Sequence, residues 1–373
     1  MRLAGEARRL VELPRVQRVA RLVSREGSAG LRVEEAPLPQ MLQGQVMVRV
    51  RAASVNPLDC LMARGYGGEV LGGLGCVLAS SRGLRTPPAL PAVLGRDFSG
   101  EVVARGPGVG GPPLGTEVWG VAPPGSPGSH QQYLAVDPAH LAPKPKLLSH
   151  VQAASIPYAG LTAWAAIGTF GWVQQGQAAK VVVLGAGGGV GDLATQILSR
   201  HLGAEVTAVC AEDAAERAMV CGARRVVDYK SQSYERELEQ IPLQDLVLDC
   251  AGRGTGSRVL RELLPLLRPG GRLVSLSSPL LANTDSSGLI AGVAHSLQQL
   301  LTANATSLPQ GKAVLWGYFL PSQGGLANLG RAAVGGGLAA PPLKCYPLGK
   351  VMEAYREVEA GHLRGKVVID MES

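Results

Sequence analysis

The sequence predicts an α/β protein in which a largely β domain is joined to a doubly wound parallel sheet. Three observations carry that expectation. From Arg15 to Val136, apolar and polar residues alternate in short runs bounded by Gly and Pro, the period of half-buried strands. After the stretch 143–146 (Pro-Lys-Pro-Lys) the pattern becomes strand and helix in strict alternation, the sign of parallel strands linked by crossover helices. Between one such strand and its helix, Lys180 to Gly191 runs from apolar residues into a glycine-rich turn. A length of 373 residues gives room for two to three domains with substantial cores.

The elements follow in order. Residues 1–15 carry Arg8, Arg9 and Arg15 among Leu and Val, which reads as a mitochondrial targeting segment; Glu6 and Glu12 leave open an untargeted basic extension. Strands are expected at Val19–Ser24, Val46–Val50, Gly100–Ala104 and Glu117–Val121, with Gly65–Pro91 as a long surface loop. His150–Phe170 reads as one helix. Five parallel strands follow at Ala179–Leu184, Glu205–Val209, Arg225–Asp228, Leu246–Cys250 and Arg272–Leu276, each apolar enough for burial on both faces. Helices Val190–His201 and Gly256–Leu267 fill two of the gaps, and Ala313–Leu320 reads as a sixth strand. A helix from about Gly324, another over Lys350–Ala360 and a last strand Lys366–Asp370 complete the chain.

Composition excludes several functions. Apolar residues make up 46% and charged residues 17%, so the chain is too apolar for disorder, and no apolar run reaches the roughly 18 residues of a membrane span. The net charge is +7, but seven Arg against two Glu in residues 1–25 account for +5 of it. With +2 left for the remainder and 4% aromatics, neither a phosphate-binding face nor a base-stacking platform is present, and nucleic acid is not an expected partner. The six cysteines show no Cys-x-x-Cys spacing and the six histidines stand alone, so the expectation is a reducing compartment and no zinc.

The chemistry lies in the glycine-rich turn. Gly185, Gly188 and Gly191 recur every third residue, letting the backbone approach a pyrophosphate at the N-terminus of the next helix, where unpaired N–H groups and the helix dipole favour an anion. Asp192, in the first helical turn, argues the other way: it repels a pyrophosphate unless its side chain turns to solvent. The second strand ends Val209-Cys210-Ala211 without the carboxylate that grips an NAD ribose, which leaves room for NADPH, with Tyr229 and Lys230 as phosphate contacts. Glu212 and Asp213 follow closely and could reach back, so NADH is the less favoured alternative.

Four segments then bring a family into view: Ala52 to Asp59 (AASVNPLD), Leu94 to Gly100 (LGRDFSG), Gly115 to Gly120 (GTEVWG) and the glycine-rich turn. Together they resemble the zinc-independent medium-chain reductases of the quinone oxidoreductase type, over about residues 16 to 371. Within that family, ASIPY (154–158), LTAW (161–164), DYKS (228–231) and GHLRGK (361–366) resemble a mitochondrial, reticulon-interacting branch. The resemblance implies a GroES-like catalytic domain from residues 16–147 plus 321–373, with a Rossmann domain, 148–320, inserted into it. It implies that Gly187, Gly188, Gly189 and Val190 hold the pyrophosphate, and that Ala211, Tyr229 and Lys230 surround the adenosine phosphate. Cys250, Leu276, Gly317 and Phe319 would flank the nicotinamide half, and His362, Leu363 and Arg364 would close the cleft. Asn56, Asp59, Tyr66 and Thr162 would face nicotinamide and substrate.

Zinc-dependent relatives need Cys at Asn56 and His-Glu at Arg96-Asp97, so no catalytic metal is expected. The chain also departs from the cofactor-site pattern. Ala211 replaces a serine, Asp213 a phosphate-binding lysine and Cys250 an asparagine at the ribose. The implied activity is NADPH-dependent hydride transfer to a quinone or α,β-unsaturated carbonyl. The alternative is a binding protein, for example for a reticulon membrane protein, that keeps the fold with little turnover. Implied with it are a homodimer and a mitochondrial location, in the matrix or at the outer membrane, with cytoplasm as the alternative.

Overall fold

The computed structural model describes residues 13–70, 90–106 and 108–373. Most of the expected targeting segment, Cys76 and most of the Gly65–Pro91 stretch lie outside the described residues.

The first part of the chain is built on short antiparallel strands. They are β1 (Val16–Leu22), β2 (Leu31–Pro37), β3 (Val46–Val55), β4 (Ala92–Val93), β5 (Asp97–Arg105), β6 (Glu117–Val121), β7 (Tyr133–Val136) and β8 (Leu141–Pro143). A small sheet orders as β2-β1-β4, while β3 runs through the middle of a larger one, against β5 on one side. Alternation explains the burial of β3: Val46, Val48 and Val50 face an interior that also holds Phe98, Val102 and Leu134, while Arg49 stays exposed.

The second part alternates strand and helix. β9 (Lys180–Leu184), β10 (Glu205–Cys210), β11 (Arg225–Asp228), β12 (Gln244–Asp249), β13 (Leu267–Ser275) and β14 (Ala313–Trp316) form one parallel sheet in the order β11-β10-β9-β12-β13-β14. Numbered from β9 this is 3-2-1-4-5-6, so the order reverses between β9 and β12 and opens a crevice at their carboxyl ends. Val181, Val182 and Val183 are fully buried, since helices cover both faces.

The chain then returns to the first part. β15 (Leu343–Pro347) lies parallel to β16 (Lys366–Asp370), and β16 pairs antiparallel with β3, Val367 opposite Val55. The parallel sheet is thus an insertion within the first sheet's fold. Trp119 and Val121 of β6 pack into the same apolar cluster as Ile156, Leu161 and Leu329, which joins the two parts.

Some expected elements differ from those observed. The single helix over His150–Phe170 is split into His150–Ala154 and Pro157–Trp164, because Pro157 lacks the N–H that would continue the first helix and restricts the residue before it. Ala313–Leu320 ends as a strand at Trp316. Elements additional to those expected include the helices Pro57–Ala63, Ala215–Val220, Tyr234–Glu239, Leu280–Ser287 and Leu289–Ser307, and strands β2, β4, β7, β8 and β15.

Candidate active site

The crevice at the reversal point is a cavity of about 600 Å³, lined by Gly185, Gly187, Gly188, Cys210, Ala211, Tyr229, Cys250, Arg253, His362 and Arg364 among others. The local sequence shapes its floor. Gly185 has φ +77, a conformation that disfavours side chains, and a Cβ on Gly191 would stand 2.2 Å from the Gly185 carbonyl oxygen. Gly188 caps the helix Gly189–Gln196 in an extended conformation, its carbonyl accepting from Asp192 N at 2.8 Å. The first amides of that helix have no intrahelical acceptor and face the crevice end of β9. A dinucleotide therefore fits here: the glycines leave room, and the helix end supplies donors.

Asp192 does not weaken that floor, contrary to both expectations for it. Its side chain is 2% exposed, and Arg217 binds it through Nε at 2.6 Å and Nη2 at 3.1 Å. Gln196 and the Cys221 thiol complete its shell. The carboxylate is neutralised inside the domain and faces neither solvent nor the crevice.

On the β12 side, buried Asp249 organises the next loop by accepting from the backbone N–H groups of Ala251, Arg253 and Gly254 and from Ser275 Oγ. Arg253 turns back to a two-pronged pair with Glu262 at 2.6 Å for both bonds. The Cys250 thiol is pushed well up by burial and then by the Asp249 charge, so it stays protonated. Lys230 lies beside this cavity with Nζ 5.8 Å from the Tyr229 ring centre.

Asn56 and Asp59 belong to a buried polar network. They form a reciprocal cap on the helix Pro57–Ala63, Asn56 N donating to Asp59 Oδ2 at 2.8 Å. Asp59 is fully buried, and its other oxygen accepts from Gly95 N at 3.0 Å beside Arg96 Nε at 3.7 Å. Asp97, also fully buried, accepts from Ser54 Oγ at 2.5 Å, Asn56 Nδ2 at 2.8 Å and the Tyr158 backbone N–H. Lys366 closes the network, giving Nζ to Asn56 Oδ1 at 2.5 Å and lying 3.4 Å from Asp97 Oδ2. Every polar atom of the Asn56 side chain thus has a partner in the protein, and the protein's own groups also take up both Asp59 oxygens.

Above this network the surfaces are aromatic. The Tyr158 ring stacks on Phe319 with centres 4.3 Å apart, and Thr162 Oγ1 donates to the Tyr158 carbonyl at 2.7 Å. Tyr66 is half-buried, and burial, then the charges of Asp285 and Tyr318, raise its phenol above the ordinary value of 10. Leu276 packs over Gly317, which leaves no room for a Cβ there.

Of the residues implied by resemblance, Gly187, Gly188, Ala211, Tyr229, Cys250, His362 and Arg364 meet at one cavity. Gly189 and Val190 begin the helix beneath it, Leu363 packs on the first sheet's core, and Leu276, Gly317 and Phe319 lie at the ends of β13 and β14. Lys366, Asp97, Tyr158 and Arg253 were not singled out from sequence. Lys366 and Asp97 do sit inside two of the quoted motifs, but they are 269 residues apart and meet only because β16 and β5 flank β3 on opposite sides. Among the described residues no group of three or more His, Cys, Asp or Glu could hold a metal ion.

Comparison with known proteins agrees with this geometry. Residues 42–146 match the alcohol dehydrogenase GroES-like domain and residues 221–369 the zinc-binding dehydrogenase model. The chain is 37% identical over 358 residues to NAD(P)H oxidoreductase RTN4IP1, mitochondrial, of Drosophila melanogaster, covering 91% of this chain and 84% of that protein. It is 35% identical over 330 residues to the Mus musculus protein of the same name, covering 88% and 82%. The quinone oxidoreductase structure from Coxiella burnetii shares the fold, with TM-score 0.75, 24% identity and coverage of 95% and 99%. Sequence identity over nine-tenths of the chain, together with the inserted parallel sheet and its glycine-floored cavity, places this protein in the family of the mitochondrial NAD(P)H oxidoreductase RTN4IP1.

Proposed function

We propose that the protein binds NADPH in this cavity and reduces a quinone or α,β-unsaturated carbonyl without a metal. The observation that carries the reading is the cavity itself, floored by glycine at the reversal point of the parallel sheet, with Gly189 beneath it beside the Lys366 stem of the buried network. When bound, the nicotinamide supplies the hydride. The helix-end amides and glycines hold the pyrophosphate, and Tyr229, Lys230 and Arg364 face the adenosine phosphate. Tyr158 and Phe319 exclude water and present a flat face to a planar acceptor. Tyr66, a phenol that is protonated at neutral pH, donates to the acceptor oxygen. Asn56, Asp59, Asp97 and Lys366 act as positioning residues that fix the helix Pro57–Ala63 and the loop after it. Residues 148–320 serve as the cofactor-binding unit within the catalytic domain.

The buried pairing of Asp192 removes one motive for a protein that binds without turnover. Steady-state assays over a panel of quinones and enones with both cofactors test the proposal; stoichiometric NADPH binding with no turnover across the panel overturns it. The relatives' names support mitochondrial residence and a reticulon-protein partner. Deleting residues 1–14 should abolish import and leave the fold, and an unchanged cellular location refutes the targeting role.

A further inference from the structure

We propose that Asp213 is a built-in rival for the 2′-phosphate of NADPH, and that its pairing with Arg364 sets the preference between NADPH and NADH. The proposal rests on the cofactor reading of the cavity given above. Asp213 follows the end of β10 by three residues, in the short helical turn Glu212–Ala214. Its carboxylate accepts from Arg364 Nη2 at Oδ1, 2.9 Å, and from Nε at Oδ2, 3.2 Å, the fork geometry with which a guanidinium binds a phosphate. Asp213 and then Tyr229 hold the Arg364 guanidinium more firmly in its charged form, and the charge of Lys230 acts on Asp213. Arginine, lysine and tyrosine thus gather around one carboxylate at the rim of the cavity that Tyr229 and Arg364 line.

The pair is accessible and can be exchanged. The Asp213 side chain is 64% exposed and that of Arg364 31%, so opening it costs little in water. A ribose with free hydroxyls leaves the pair intact and can donate to the carboxylate. A ribose carrying a 2′-phosphate must take Arg364 from Asp213 and then lie beside the displaced charge. NADPH binding therefore carries a cost that NADH binding does not, and the basic residues on this rim do not give NADPH their full discrimination.

Calorimetric titration of the full chain, without acceptor, tests this with NADPH, NADH and the fragments 2′,5′-ADP and 5′-AMP. Asp213→Asn should tighten NADPH and 2′,5′-ADP about five-fold, the worth of one screened surface pair, and move NADH and 5′-AMP by less than about two-fold. An equal shift for all four compounds, no shift, or weaker NADPH binding overturns the rivalry. Wild-type protein that binds neither dinucleotide overturns the cofactor reading and this proposal with it. Wild-type protein that binds them with a ratio unmoved by Asp213→Asn overturns the rivalry alone.

Discussion

Replacing Lys366 by Met isolates the energetic role of the buried network. The ammonium lies 3.4 Å from Asp97 Oδ2, which at an effective dielectric of about 20 is worth about 5 kcal/mol of attraction. Its charged hydrogen bond to Asn56 at 2.5 Å adds about 2 kcal/mol. Against these stands the desolvation of an ammonium whose residue is 4% exposed, a cost of several kcal/mol that the Met variant no longer bears. Asp97 keeps its Ser54, Asn56 and Tyr158 donors, and Met retains the contact of the lysine stem with Gly189. The net loss should be about 3 kcal/mol, the low end of what breaking a buried pair costs. Urea unfolding of the wild type, Lys366→Met, Asp97→Asn and the double variant measures it, and the double variant should lose less than the two single losses added together. A loss below about 1 kcal/mol for Lys366→Met, or strict additivity, refutes the account of Lys366 as the bond between the last strand, β16, and the Asn56 helix.

Gly188→Val should fold normally yet lose cofactor binding at least 100-fold in a fluorescence titration, because a Cβ there meets nothing closer than the Gly185 oxygen at 3.4 Å and the rest of the side chain enters the cavity. Gly191→Ala should instead destabilise the protein, since its Cβ collides with backbone, and a Tm equal to wild type counts against that. Tyr66→Phe should lower kcat on the order of ten- to a thousand-fold with NADPH affinity unchanged, and a fully active variant removes the proton-donor role. His130 is fully buried, its ring nitrogens bound to the Ser54 carbonyl and the Tyr355 hydroxyl, and burial holds it below its ordinary value of 6.5. Unfolding frees the ring to take a proton at its ordinary value, so this contribution to stability should be full above about pH 6.5 and decline as the pH falls from there toward 5.5. A stability independent of pH over that interval contradicts this.

What could be read in advance was whatever depends on neighbours in sequence. The parallel strands declare themselves through runs such as Val181-Val182-Val183, and the turn after them through glycine spacing. The site residues of the cofactor cleft came with family motifs, and seven of them meet at one cavity because each lies at a strand end or on the strap before β16. Polar partnerships were illegible. Nothing local tells that Asp192 turns inward to Arg217, 25 residues on, or that Asn56 spends its amide on Asp97 and Lys366. Helix continuity failed where one residue, Pro157, outweighed an otherwise unbroken apolar period.

The strap 361–366 and the strand it leads into have a consequence for how the protein is made. Arg364 reaches the adenosine rim and Lys366 reaches Asn56, while β16 pairs with β3, laid down some 300 residues earlier. Domains generally fold as they emerge during synthesis, the N-terminal parts first. Here the parallel sheet can form early, but β3, already paired with β5, must wait for its other neighbour, β16, until residues 366–370 have been translated. A nascent chain halted before Gly361 would hold a glycine turn without its arginine and an Asp97 without its lysine. The cofactor rim and the buried network can therefore be complete only after residues 361–370 have emerged, and the competent site forms no earlier.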